Sequence, residues 1–76
     1  MGRLAGHSGR DTLRALEALG FRQVRQRGSH VVMRLDQPDG NTRGCVVPLH
    51  KELAEGTLRG ILKQAGVDVD EFLARL

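Results

Sequence analysis

Apolar residues recur along the first third of the chain with the period of a helix. In "HSGRDTLRALEALGF", Leu13, Leu16 and Leu19 fall three residues apart behind Ser8, and Gly20 follows the last of them. Ser8 with Asp11 three positions on is a helix-start pattern, in which the serine hydroxyl takes up a free amide of the first turn. Aspartate stands where glutamate or glutamine is usual. A glycine just after the last periodic residue supplies the left-handed conformation that ends a helix. The spacing predicts a helix over residues 9–19. The pattern then changes to strands. "FRQVRQR" and "HVVMRLD" flank Gly28-Ser29, and glycine at the first of two central positions suits a type II′ hairpin turn. Strands are predicted over residues 22–27 and 30–35. "DQPDGN" is a cluster of turn formers. "TRGCVVPL" is a third strand, ending near Pro48 because proline has no amide proton for a ladder. Leu58, Ile61, Leu62 and Ala65 stand at i, i+3, i+4 and i+7, the buried stripe of a second helix that Gly66 ends. "DVDEFLARL" restarts with Asp68 as cap and Glu71 three residues on, and predicts a short last helix burying Phe72, Leu73 and Leu76.

The predicted order is α-β-β-β-α-α, an α+β fold. A three-stranded antiparallel sheet needs cover on one face, so both main helices are expected there, with the other face in water. A strand turns alternate side chains to opposite faces. Val31, Met33 and Leu35 form the more apolar set and should meet the helices, leaving His30, Val32 and Arg34 on the open side. Arg25 and Arg27 share a side of their strand, and the hairpin brings Arg27 to His30. No repeat or low-complexity segment breaks the pattern, and residues 1–76 are expected to form a single domain. A chain of this size buries only about 60% of its unfolded surface, so any site should lie on the surface.

Charge adds a direction. The net charge is +3 and the sequence pI about 10.0. Only Lys51 and Lys63 are lysine, against ten arginines, and arginine presents a planar fork that grips phosphate with two hydrogen bonds. Residues 1–50 carry eight basic and four acidic side chains, whereas residues 51–76 carry four and five. Residues 20–35 hold four arginines and no acid. Nucleic acid is the natural partner for such a stripe, although an arginine-biased soluble surface gives the same totals. With no Trp or Tyr, and with Phe21 and Phe72 at packing positions, base stacking on exposed aromatics is excluded. The grip should be on the backbone. Cys45 alone forms no intrachain disulfide, there is no apolar run of about 20 residues, and the N-terminus lacks a signal-peptide core. These features suggest a cytoplasmic protein.

His30 is the residue that changes the chemistry. A histidine moves protons near neutral pH, and RNA carries its own nucleophile in the 2′-OH beside each phosphate. A base, an acid and cations at the phosphorus suffice for cleavage. His30 offers a proton-transfer group, Arg25, Arg27 and Arg34 offer cations, and the amides at Gly28-Ser29 offer a hold on an oxygen. A lone histidine beside a turn is, however, often just solvated. His50, in "VPLHK", is a second proton-transfer candidate, or else caps the second helix or faces water. His7 is expected to be structural or exposed, and Cys45 a small core residue. No C-x-x-C or H-x-x-x-H spacing supports a metal, so neither metal nor cofactor is expected.

"SGRDTLRALEALGF", "RQRGSHVVMR" and "VVPLHKELAEGTLRGILKQAGVDVDEFLARL" together resemble the HicA (YcfA-like) family of toxin–antitoxin systems, over residues 8–76. The resemblance implies a fold like the double-stranded-RNA-binding domain. It implies a ribosome-independent mRNA endoribonuclease that arrests translation, and a HicB-like antitoxin protein that covers the active face. The family's catalytic histidine matches His30, with Gly28 and Ser29 before it, and its V-P-x-H stretch matches Val47 to His50. Arg25, Arg27, Arg34 and Lys51 are then the expected RNA contacts. The competing reading is a non-catalytic module binding duplex RNA. Glu52 and Glu55 dilute Lys51 where such a module places a lysine cluster, which speaks against it.

Overall fold

Ser8 caps the first helix of the computed structural model, which describes residues 3–76. The elements are α1 (Gly9–Ala18), β1 (Arg22–Arg27), β2 (His30–Asp36), β3 (Thr42–Pro48), α2 (Glu55–Ala65) and α3 (Val69–Leu73). The expected α-β-β-β-α order with a short extra C-terminal helix is thus present. Ser8 Oγ accepts from the Asp11 amide at 3.0 Å. The reciprocal half of the capping box is replaced, because the Asp11 carboxylate accepts from Arg14 at 3.3 Å instead. Both long helices end through the same pair of bonds. Phe21 N donates to Leu16 O and Gly20 N to Glu17 O at α1, while Val67 N donates to Leu62 O and Gly66 N to Lys63 O at α2. In each case a buried apolar residue beyond the glycine packs where the last turn closes.

The sheet is antiparallel in the order β1-β2-β3. Val31 and Met33 of β2 and Cys45 and Val47 of β3 are buried against Leu13, Leu16, Leu58, Ile61 and Leu62. This is the apolar set that alternation selected. Burial pushes the Cys45 thiol up to about 11, as befits a core residue.

Three expectations need correction. Cover is incomplete: both main helices pack on β3, and all six residues of β1 are exposed. The physical reason lies in β1 itself. Its residues paired with inward-facing Met33 and Val31 are Gln23 and Gln26, which have nothing apolar to bury. Second, Asp68 precedes α3 but makes no side-chain cap bond. Third, Phe72 is fully buried and Leu73 partly, whereas Leu76 is 48% exposed, because α3 stops at Leu73, short of the turn that would carry Leu76 inward. Leu4, Leu53 and Val67, all outside predicted elements, are buried in the same core.

One close approach ties α1 to the end of β3. A Cβ on Gly9 would lie 2.1 Å from Pro48 O and 2.9 Å from Leu49 Cα. Gly9 N donates to His50 O at 2.9 Å. The first turn of α1 therefore sits directly on the segment that leaves the sheet.

Candidate functional site

Directly paired residues of an antiparallel ladder share a face, so the register gives the open face row by row. The tip row is Arg27, His30 and Pro48. The middle row is Arg25, Val32 and Val46. The far row is Arg22, Arg34 and Gly44. Strict alternation would put Arg22 and Arg25 on opposite faces. A bulge between Gln23 and Arg25 adds Val24 to β1, and an extra residue resets the phase. All three β1 arginines thus share the open face with His30.

The tip is held on both sides. Gly28 has φ +55°, and among the described residues no non-glycine residue has a positive φ, the sign pattern of the expected type II′ turn. Gln26 Nε2 donates to Gly28 O at 3.0 Å. Ser29 O accepts from Leu49 N at 2.7 Å, extending the β2–β3 pairing beyond Pro48. His30 is exposed at the first position of β2.

His50 is exposed and lies two residues beyond Pro48, the ladder partner of His30. Its carbonyl is tied to α1, and it does not cap α2, whose N-cap is Ala54. Lys51 follows it, exposed, in a bend. The structure thus brings the backbones of Gly28, Ser29, His30, His50 and Lys51 to one end of the sheet. Among the described residues no side-chain hydrogen bond or ion pair takes up His30, Arg25 or Arg27.

Arg34 is different. Its Nε donates to Asp36 Oδ1 at 2.8 Å, and Arg22 Nη2 donates to Asp36 Oδ2 at 3.1 Å. The Arg34 hydrogen bond, and then that of Arg22, hold the Asp36 carboxyl below its ordinary value of 3.8. Sequence reasoning missed both Arg22 and Asp36. Asp36 had a signal, since it stands two residues from Arg34 and shares its face. Arg22 had none, because the bulge alone puts it there.

His7 Nε2 donates to the Arg3 carbonyl, 3.0 Å away, and the ring meets the Phe72 ring edge-on with centroids 6.5 Å apart. Expected to be structural or exposed, it is half-buried with these two contacts. Two shallow cavities, of about 240 and 190 Å³, lie on the helical side and along α1. Neither is lined by His30 or by any of the open-face arginines. Among the described residues no group of three or more His, Cys, Asp or Glu side chains converges.

A family model described as the HicA toxin of bacterial toxin–antitoxin systems matches residues 9–67. That span runs from the first residue of α1 to just past the end of α2, and contains the whole open face. No curated protein matches the chain.

Proposed function

The chain belongs to the HicA toxin family of bacterial toxin–antitoxin systems, and on that premise we propose that this toxin is a metal-independent endoribonuclease that cuts mRNA. The observation that carries the reading is the tip row: an exposed histidine directly opposite an arginine, on a pinned hairpin, with further cationic side chains beside it. The nucleophile comes from the substrate. His30 takes the proton of a 2′-OH, the 2′-oxygen bonds to the adjacent phosphorus, and the bond to the 5′-oxygen breaks. That leaving oxygen takes a proton from a second group, for which His50 is the nearest titratable residue along the pinned segment. Arg27 and Arg25 neutralise the charge that grows on the phosphorus oxygens, where a fixed cation does most for the transition state. Gly28 and Ser29 hold the tip, and Lys51 stands exposed in the segment beside it. DNA lacks the 2′-OH, so the activity is confined to RNA.

The partner is a HicB-like antitoxin that covers this face and meets the arginines with carboxylates. Among the described residues no helix is long and apolar enough to cross a membrane. A cytoplasmic site of action follows from the substrate. The test is His30→Ala, expressed with and without the antitoxin gene. The variant is expected to fold and to bind RNA and antitoxin, because an exposed side chain carries little packing. It should neither cleave mRNA nor arrest growth, while the wild-type product carries a 2′,3′-cyclic phosphate in the presence of EDTA. A folded His30→Ala variant that still cuts, or wild-type activity abolished by EDTA, would defeat the reading.

A further inference from the structure

The far row of the open face carries two arginines, as many as the tip and middle rows together, but in a different state. Each oxygen of the Asp36 carboxylate holds one guanidinium, Arg34 at 2.8 Å and Arg22 at 3.1 Å. Arg22 and Arg34 are ladder partners, and Asp36 shares their face. The bulge makes this possible by turning Arg22 and Arg25 to the same side. A carboxylate offers an arginine fork much of what a phosphate offers, a negative charge spread over oxygens that accept its N–H bonds. Asp36 therefore stands where a phosphate would be held. In the middle and tip rows, Arg25 and Arg27 have no such partner among the described residues.

We propose that Asp36 masks Arg22 and Arg34 from nucleic acid, so that RNA is gripped by Arg25 and Arg27 beside His30 and the footprint is confined to the phosphates next to the bond being cut. This rests on the RNA-cleaving function proposed above. Exposed ion pairs are individually weak, but two cations on one anion form a network. Asp36 is also tethered to its partners, whereas a phosphate must be brought from solution, and tethering raises effective concentration without any new contact. The consequence is a short, weak grip. Four free arginines would hold both cut strands and slow their release, since differences in affinity appear mainly as differences in off-rate. Masking leaves enough charge to place the scissile phosphate and little to retain the product.

The experiment measures binding of an unstructured oligouridine over a salt series, with every protein carrying His30→Ala so that the RNA stays whole. Two phosphate contacts predict a slope of log affinity on log salt of about −1.4, at roughly −0.7 for each contact on a single strand. Adding Asp36→Asn frees two arginines. It should raise affinity several-fold and steepen the slope by about another 1.4. Asp36→Glu keeps the carboxylate and should stay close to the parent. The same Asp36→Asn change in a chain that also carries Arg22→Gln and Arg34→Gln separates masking from a general loss of negative charge. Masking predicts a much smaller gain there and no change of slope. An equal gain in both backgrounds, or an unaltered slope on Asp36→Asn in the parent, overturns the masking while leaving the RNA-cleaving function standing. Failure of every one of these folded proteins to bind RNA removes that function and the masking together.

Discussion

Gly28 shows how much of the site hangs on one backbone angle. At φ +55° it turns the chain between β1 and β2, and a Cβ added there meets nothing within 4 Å. A substitution is thus opposed by the backbone conformation alone. Gly28→Ala is expected to cost about 1–2 kcal/mol, the penalty for a left-handed residue with a Cβ. Gly28→Asn should cost less, because asparagine tolerates that region. Denaturant unfolding checks the stability, and cleavage should fall in the same order as the hairpin loosens. Equal stability of Gly28→Ala and wild type would mean that the tip is not built on this turn. Gly28 was legible because turn chemistry is local. Asp36 as the partner of two arginines was not, since one of the two lies fourteen residues away.

At the scale of elements, two helical glycines give opposite expectations for one substitution. Replacing glycine by alanine in a helix gains about 1 kcal/mol of intrinsic propensity. Gly60, in α2, is exposed and has nothing within 4 Å of its would-be Cβ, so Gly60→Ala should stabilise by up to that amount. Gly9, in the first turn of α1, would drive its Cβ to 2.1 Å from Pro48 O. Backbone on both sides cannot give way as a flexible side chain would, so the clash outweighs the propensity. Gly9→Ala should lower the melting temperature, and it should loosen the Gly9–His50 bond that fixes the segment behind the candidate site. Thermal melts of the two variants check both signs. Two melts shifting in the same direction would show that α1 does not dock as closely as described. The helix periods were legible, as Leu58, Ile61, Leu62 and Ala65 show. The docking of α1 was not, because nothing in "HSGRD" names its neighbour.

For the whole molecule, the decisive feature is an unequal sheet. Its β2–β3 side is buried under helices, while β1 stands in water along its whole length. A projecting strand of this charge is a poor core element and a good contact for a polyanion. Arg27→Gln is therefore expected to weaken RNA binding by a similar factor for every sequence and to flatten the salt slope by about 0.7, one single-strand contact. Titrations of two unrelated oligoribonucleotides over a salt series check this. A loss confined to one sequence would mean that Arg27 reads a base instead of a phosphate.

The elements, their order, the hairpin turn and the inward set of Val31 and Met33 were determined by the sequence itself. Each follows from how contiguous residues set backbone angles and from the period with which side chains leave a helix or a strand. His30 on the open face follows from the same period. Only the tertiary structure decided that Val24 is bulged out and Arg22 joins the arginine face, that Asp36 takes two of the four arginines, that Leu4 and Leu53 complete the core, and that Gly9 lies against Pro48. These depend on pairings between residues distant in the chain. A one-residue change of register reverses every face beyond it, and no local signal records which distant residue arrives opposite.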